Sequence, residues 1–161
     1  MSTDASSVTD VELSPGGSRD LDAVIEVMTA AFDERFGEAW TRSQCAGILP
    51  MPGVRLLMAR FADGRVAGFS LYRTIVDDAE LLLLAVAPEY RRRGIGQMLF
   101  DRFLGHAREA GASHVHLEVR EGNPAVIMYR RAGFGVAGRR RKYYRGPFGG
   151  EFDALTLSRD L

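Results

Sequence analysis

Residues 79–87, "AELLLLAVA", run into "PEYRRRGIG" at 88–96 and then into "QMLFDRFLGHAREA" at 97–110. The first segment is apolar at every position from Leu81 to Ala87. Neither face is left for water, which marks a central strand covered on both sides. After the turn, Ile95, Leu99, Phe103, Ala107 and Ala110 fall on one helical face, and Gly111 stands where a left-handed cap would end the helix. A strand, a glycine-rich turn and a helix, in that order, present unpaired N–H groups and the positive end of a helix dipole at the turn.

The upstream chain supplies further strands and helices. "VRLLMARF" at 54–61 and "VAGFSLYRTIV" at 66–76 flank Asp63 and Gly64, the turn chemistry of a hairpin. From Leu21, the positions Val24, Ile25, Met28 and Phe32 keep helical spacing, with Ser18 or Asp20 placed to cap the start. Thr41 caps a short second helix, "TRSQCAGIL", that "PMPG" ends. Phe36 and Trp40 lie in the connection between these helices, as packing anchors or as a substrate wall. "VTDVEL" at 8–13 reads as an edge strand, and residues 1–7 as a small, polar, flexible tail.

Downstream, "SHVHLEVR" at 113–120 alternates strictly, with Val115, Leu117 and Val119 on one side and His114, His116, Glu118 and Arg120 on the other. In "NPAVIMYRRAG" at 123–133, Asn123 is the N-cap, Pro124 the first helical position and Gly133 the residue past the end. "RRRKYYRG" and "EFDALTLSRDL" read as antiparallel strands across "PFGG". Strict alternation would put Arg139, Arg141, Tyr143 and Arg145 on one face and Arg140, Lys142 and Tyr144 on the other.

The chain has 161 residues, 46% of them hydrophobic, which is one domain with one core, spanning 8–161. Twenty-one basic residues balance twenty-one acidic ones, so no global field draws it to nucleic acid or anionic lipid. The single cysteine, Cys45, forms no internal disulfide and reads as a buried small side chain. The longest apolar run is far too short to span a bilayer, and the N-terminus lacks the pattern of a secretory signal; the expectation is a cytoplasmic protein with no membrane partner.

Gly94 and Gly96 remove side chains where an anion would approach the backbone, and Arg91, Arg92 and Arg93 can add charge-assisted contacts. Neither a P-loop nor a dinucleotide-binding fingerprint is present. On these residues alone, a phosphate-holding turn and a plain turn with solvated arginines both stand.

"AVAPEYRRRGIGQMLFDRFL" resembles the acetyl-CoA-binding segment of the GNAT superfamily of N-acetyltransferases, whose pattern is Arg/Gln-x-x-Gly-x-Gly/Ala after a strand. With "LEVREGNPAVIMYRRAGF" and "RRRKYY", it is similar to the ribosomal-protein-alanine N-acetyltransferase branch. The resemblance implies an α/β fold with a mixed, mostly antiparallel sheet and helices on both faces. It implies acetyl-CoA as cosubstrate, no metal, and a peptide or protein N-terminus as acceptor, a ribosomal protein starting with alanine foremost. Nucleic acid is not an expected partner. Carried over to this chain, Leu84, Ala85 and Val86 would pair with pantetheine, and the loop from Arg91 through Arg92, Arg93, Gly94, Ile95 and Gly96 to Gln97 would hold the pyrophosphate. Asn123 would touch the cofactor, Glu118 would accept a proton and Tyr129 would donate one. Trp40, Tyr143 and Tyr144 would wall the peptide.

Each role has a plainer rival: an N-cap for Asn123, a core tyrosine for Tyr129, a solvated strand side chain for Glu118, and a charge-protected edge strand for "RRRKYY". An acetyltransferase of a small amine, or a CoA-binding module without chemistry, are the alternative functions. In the family, the tyrosine falls one residue later after the asparagine. The missing residue in "NPAVIMY" rotates a helical position by about 100° unless the preceding loop absorbs it.

The implied reaction is direct attack of an amine on the thioester, without a covalent enzyme intermediate, in keeping with the absence of a Ser-His-Asp or Cys-His signature. A peptide amine has a pKa of about 7.7–8.0 and must lose a proton first. A carboxylate of ordinary basicity matches that task only through an ordered water or a setting that strengthens it. His116, on the same strand face as Glu118, is a possible helper, and a backbone N–H between Leu84 and Val86 is the expected oxyanion donor, provided that the strand is splayed from its neighbour.

Overall fold

Seven strands form one sheet in the order β1-β2-β3-β4-β5-β7-β6. The computed structural model describes residues 10–161. The strands are β1 (Val11–Pro15), β2 (Val54–Phe61), β3 (Val66–Ile75), β4 (Asp78–Val86), β5 (His114–Arg120), β6 (Gly135–Arg145) and β7 (Glu151–Asp160). The helices are α1 (Leu21–Ala31), α2 (Arg42–Ile48), α3 (Ile95–Glu109) and α4 (Ala125–Arg131). Neighbouring strands are antiparallel except β4 and β5, which run parallel because α3 carries the chain back between them. The expected mixed, mostly antiparallel sheet is observed. The proposed tail, residues 1–7, lies outside the described residues, as do Val8 and Thr9 of the expected first strand.

Two apolar clusters occupy the two faces of the sheet. On one, Ile95, Leu99, Phe100 and Phe103 of α3 pack with Tyr129 of α4 and with Val115, Leu117 and Val119 of β5. On the other, Val24, Val27 and Met28 of α1 and Cys45 of α2 pack with Phe69, Leu71, Leu83 and Ala85. β4 serves both clusters, as its uniformly apolar sequence required. It does so by changing faces: Tyr72 is opposite Leu81 but Leu71 is opposite Leu83, so Leu82 is an extra residue, a β-bulge. Ala79 and Leu81 face α3, and Leu83 and Ala85, after the bulge, face α1.

Several local expectations are met and others corrected. Thr41 Oγ1 accepts from Gln44 N at 3.1 Å, and Gln44 Oε1 accepts from Thr41 N at 2.8 Å, a complete capping box for α2. The Asp63–Gly64 hairpin and the alternation of β5 are as read. Neither Ser18 nor Asp20 caps α1; the Asp20 carboxylate instead accepts from Gly17 N at 2.9 Å and pairs with Arg60 at 2.6 Å. Ala110 is exposed at the helix end rather than on the buried face, which uses Phe100 and Leu104 instead.

The largest correction is in β6. Arg140 pairs with Ala154 and Tyr144 with Phe152, so Arg141, Lys142 and Tyr143 oppose Asp153 alone. Lys142 takes a left-handed φ of 53°, and its N–H donates to Asp153 Oδ1 at 2.9 Å. Strict alternation fails there.

Phe100 joins α3 to α4: its ring lies 5.2 Å from that of Tyr129, 5.5 Å from Phe134 and 6.1 Å from Phe103. Phe100→Ala should therefore lower unfolding free energy by about 3–5 kcal/mol in a urea titration, the usual cost of truncating a fully buried phenylalanine.

Candidate active site

Hydrogen bonding between β4 and β5 covers only Asp78↔His114 through Leu81↔Leu117. Beyond that point β5 stays on β7, with Glu118, Val119 and Arg120 opposite Thr156, Leu155 and Ala154. β4 stays on β3, with Leu83 to Val86 opposite Leu71 to Gly68. The strands part at the bulge, and a cavity of about 520 Å³ opens between them. Its floor is Leu82 to Val86 of β4, whose edge toward β5 has no strand partner.

Glu118, Asn123, Tyr129, Tyr143, Tyr144, Trp40 and Arg91 all line this one cavity together with Leu84, Ala85 and Val86. The Glu118 side chain is 16% exposed, and its Oε1 lies 3.1 Å from Arg140 Nη2. Its Oε2 is buried without a protein hydrogen-bond partner. A carboxylate oxygen held this way keeps a lone pair for a proton or a water. Tyr144 Oη, at 3.5 Å, is oriented toward the Glu118 carbonyl, and Tyr143 packs edge-on to Tyr144 with ring centroids 5.0 Å apart. Both tyrosines reach the cavity because of the irregular Arg141 to Tyr143 segment; on a regular strand they would point to opposite faces.

Asn123 is committed within the protein. Its Oδ1 accepts from Ala125 N at 2.8 Å, which caps α4, and its Nδ2 donates to Glu38 Oε2 at 2.9 Å. His116 is turned to other partners, with Nδ1 3.1 Å from Asp78 Oδ2 and Nε2 3.4 Å from Glu80 Oε2.

Two charged cavity residues, Glu38 and Arg120, were not read as site residues from the sequence, and they meet Phe36, which was read as an anchor or a substrate wall. Glu38 and Arg120 form an ion pair at 2.9 Å, with side chains 9% and 11% exposed, and the Arg120 guanidinium stacks 3.7 Å from the Phe36 ring centre. The only available signal was an acid in an aromatic-rich connection, "RFGEAW". That connection meets the β6–β7 turn through Gly37 and Gly146. A Cβ on Gly37 would lie 2.1 Å from the Arg145 carbonyl oxygen, and one on Gly146 would lie 1.9 Å from the Arg35 carbonyl oxygen. Only glycine fits at these contacts.

Of the basic loop, only Arg91 lines this cavity; Arg92, Arg93, Gly94, Ile95, Gly96 and Gln97 are not in its lining. Arg91 Nη2 donates to the Ala31 carbonyl at 2.8 Å, joining the loop to the end of α1, and Arg93 lies over the Tyr90 ring at 5.5 Å. Arg92 and Gly94 both take left-handed conformations, φ 65° and 79°. Alternation of this kind aims successive backbone N–H groups into one concavity, and the first turn of α3 adds those of Ile95, Gly96 and Gln97. The Ile95 side chain is buried in the core, and Gln97 Nε2 donates to Asp101 at 2.8 Å, so both can serve an anion only through their amides. A Cβ on Gly96 would meet only Val86 Cγ2 at 3.7 Å and Leu84 Cδ2 at 3.9 Å. The protein itself leaves room there; the bare backbone keeps the approach open.

Burial raises the phenol pKa of Tyr129, with the Glu38 charge adding to it, and burial likewise leads the causes that raise Tyr144. The neutral phenol is thus the folded form, whereas an unfolded tyrosine ionises near about 10. The stabilisation is complete below that value and is lost as pH rises above it. Urea unfolding should show a first fall in stability above a pH of about 8.5 from the buried Cys45 thiol, whose pKa burial also raises, and a steeper fall above about 10 that shrinks in Tyr129→Phe.

Residues 21–134 match the model of the acetyltransferase (GNAT) family. The chain is 38% identical over 98 residues to the ribosomal protein bS18 alanine N-acetyltransferase of Salmonella typhimurium, and 32% identical over 96 residues to that of Haemophilus influenzae. Each match covers 60% of this chain and 66% of the relative, so the chain spans just under two thirds of either relative's length. The crystal structure of the ribosomal-protein-S18-alanine N-acetyltransferase from Escherichia coli superposes with a TM-score of 0.81 at 27% identity, covering 93% of both chains. With the parted β4–β5 pair, the basic loop and a family match over most of its length, the chain belongs to the GNAT family of acetyltransferases.

Proposed function

We propose that this protein transfers the acetyl group of acetyl-CoA to the N-terminal α-amine of a protein, with an alanine-starting ribosomal protein as the acceptor class. The carrying observation is the unpaired edge of Leu82 to Val86 facing, across one cavity, a buried Glu118 oxygen that no protein group satisfies. The names of the relatives supply the acceptor class.

A free strand edge suits an extended, amide-bearing arm, which can pair with it as a further strand. The amide nest from Arg92 to Gln97 suits the pyrophosphate at the other end, with Arg91 assisting. The donor set thus fits acetyl-CoA, whose thioester supplies the activated acyl group. Glu118 Oε2 accepts the proton of the incoming ammonium through a water, leaving the nitrogen lone pair free to attack the acyl carbon. A backbone N–H of the free β4 edge stabilises the oxygen as negative charge gathers on it. Tyr129 donates a hydrogen bond to the sulfur as the carbon–sulfur bond breaks; the second surplus proton leaves the nitrogen by way of water, and the proton held by Glu118 passes through solvent to the thiolate. Trp40, Tyr143 and Tyr144 flank the entering peptide, and the Glu38–Arg120 pair holds their loop and strand in register.

The test measures thiol release from acetyl-CoA with Ala-, Ser- and Met-starting peptides and with small amines such as polyamines. Release with the Ala-starting peptide should exceed the rest. Glu118→Gln and Tyr129→Phe should each lower kcat by roughly 10²-fold, within the usual contribution of a positioned acid or base, while leaving the KM for acetyl-CoA within about threefold. Release with no peptide removes the reading, and preference for a small amine replaces it.

Gly96→Ala probes the loop separately. Since the added methyl has room within the protein, the thermal midpoint should hold while acetyl-CoA affinity, measured by calorimetry, falls by about tenfold, or 1.4 kcal/mol. A lowered midpoint with unchanged affinity would assign Gly96 to folding alone.

A further inference from the structure

On the sheet face carrying Glu118, at the closed end of the β4–β5 pair, lies a cluster that the acetyl-transfer chemistry does not use. The parallel register sets Asp78 beside His114 and Glu80 beside His116, and β7 sets Asp160 beside His114. Residues two apart on a strand share a face, so both imidazoles and the three carboxylates emerge on the same side. One donor atom each from Asp78, His114 and His116 lie within 4.8 Å of one another. The imidazole rings are stacked with centroids 6.1 Å apart.

We propose that Asp78, His114 and His116 form a binding site for a divalent transition-metal ion of the zinc class, which clamps β4 to β5 at the foot of the cleft. Two imidazole nitrogens and a carboxylate oxygen suit zinc, copper or nickel, not magnesium or calcium. A tetrahedral site with bonds of about 2.0–2.2 Å needs donors roughly 3.3 Å apart. Side-chain rotation closes the remaining gap, because the strand register already places the backbones.

The surrounding groups are those that orient metal ligands. His116 Nδ1 faces Asp78, and its Nε2 faces Glu80, whose Oε1 accepts from Arg73 Nη2 at 3.0 Å. Asp160 Oδ1, 3.0 Å from His114 Nδ1, fixes the second ring. Three carboxylates thus meet one guanidinium, an excess of negative charge that a dication relieves. The ion stands outside the reaction. Its effect is mechanical: the clamp bridges the two strands two residues before Glu118, where their hydrogen bonds are about to end.

The test uses the untagged full chain, stripped with a chelator, titrated with zinc chloride in a calorimeter and melted with and without zinc. One ion per chain should bind, and at a hundredfold excess over Kd the midpoint should rise by roughly 5–10 °C. The double variant His114→Asn, His116→Asn should lose both effects, and His106→Asn, which changes the one other histidine, should keep them. Should the double variant lose its far-UV circular dichroism, Asp78→Asn decides alone, with at least tenfold weaker zinc binding expected. No zinc-dependent heat up to millimolar metal, or unchanged binding in the deciding variant, overturns the proposal and leaves ordinary histidine–carboxylate pairs.

Discussion

A strand inside a sheet normally satisfies its backbone groups on both edges, and an unpaired buried N–H or C=O costs about as much as a lost hydrogen bond. β4 breaks that rule from Leu82 onward, and the arrangement of the cleft depends on how the break is held open. β3 grips one edge of β4 through the bulge, and β7 grips β5 along seven residues, so neither strand is free to close the gap. The bulge also turns Leu83 and Ala85 into the α1 cluster, which anchors the diverging strand from below. What remains is a line of backbone donors and acceptors with apolar side chains around it, a surface complementary to an extended chain rich in amides. The same parting sets Glu118 across the cavity from β4 instead of packed against it.

The second organising feature is electrostatic. Glu38 and Arg120 are almost withdrawn from water, and removing charges from water costs several kcal/mol per ion before their attraction is counted. Such a pair adds little stability over apolar packing; its value is in geometry. Here it ties three pieces together: the α1–α2 connection through Glu38, the end of β5 through Arg120, and the start of α4 through Asn123. Phe36 beneath the guanidinium and the Gly37–Gly146 contacts complete the closure. This wall of the cavity is thus held by one network of charge and close backbone approach.

The regular parts of the molecule were legible because their signals are local. The apolar run of β4, the period of α3, the alternation of β5 and the cap at Thr41 each follow from neighbouring residues, and together they yield the sheet and its helical layers. The irregular parts were not legible. The Leu82 bulge, the left-handed Lys142 and the Glu38–Arg120 pair depend on partners far along the chain, and no short pattern encodes them. Asp20 shows the same limit: placed by sequence as a cap, it is drawn off by Arg60, forty residues away. Tyr143 and Tyr144 were read into the site, but the break in alternation that lets both enter it was visible only in three dimensions.

A tight loop precedes α4, where the Asn123 to Tyr129 spacing is one residue shorter than the family pattern. Gly122 takes a left-handed φ of 95°, and Asn123 N donates to the Arg120 carbonyl at 3.0 Å, a tight turn that starts the helix close against β5. Tyr129 consequently rests on Phe100 and still borders the cavity. Its burial also limits what it can do in the proposed reaction. A thiol ionises near about 8.5 and an ordinary phenol near about 10, so a phenol raised further by burial is a poor source of a whole proton for a thiolate. It remains a fixed dipole at the cavity wall. In that proposal Tyr129 would stabilise the departing sulfur by donating a hydrogen bond, and the proton that finally neutralises the thiolate would come from the amine by way of Glu118 and solvent. In the proposed reaction one carboxylate would serve both ends of the transfer, which puts the unsatisfied Glu118 oxygen, rather than the tyrosine, at the centre of that proposal.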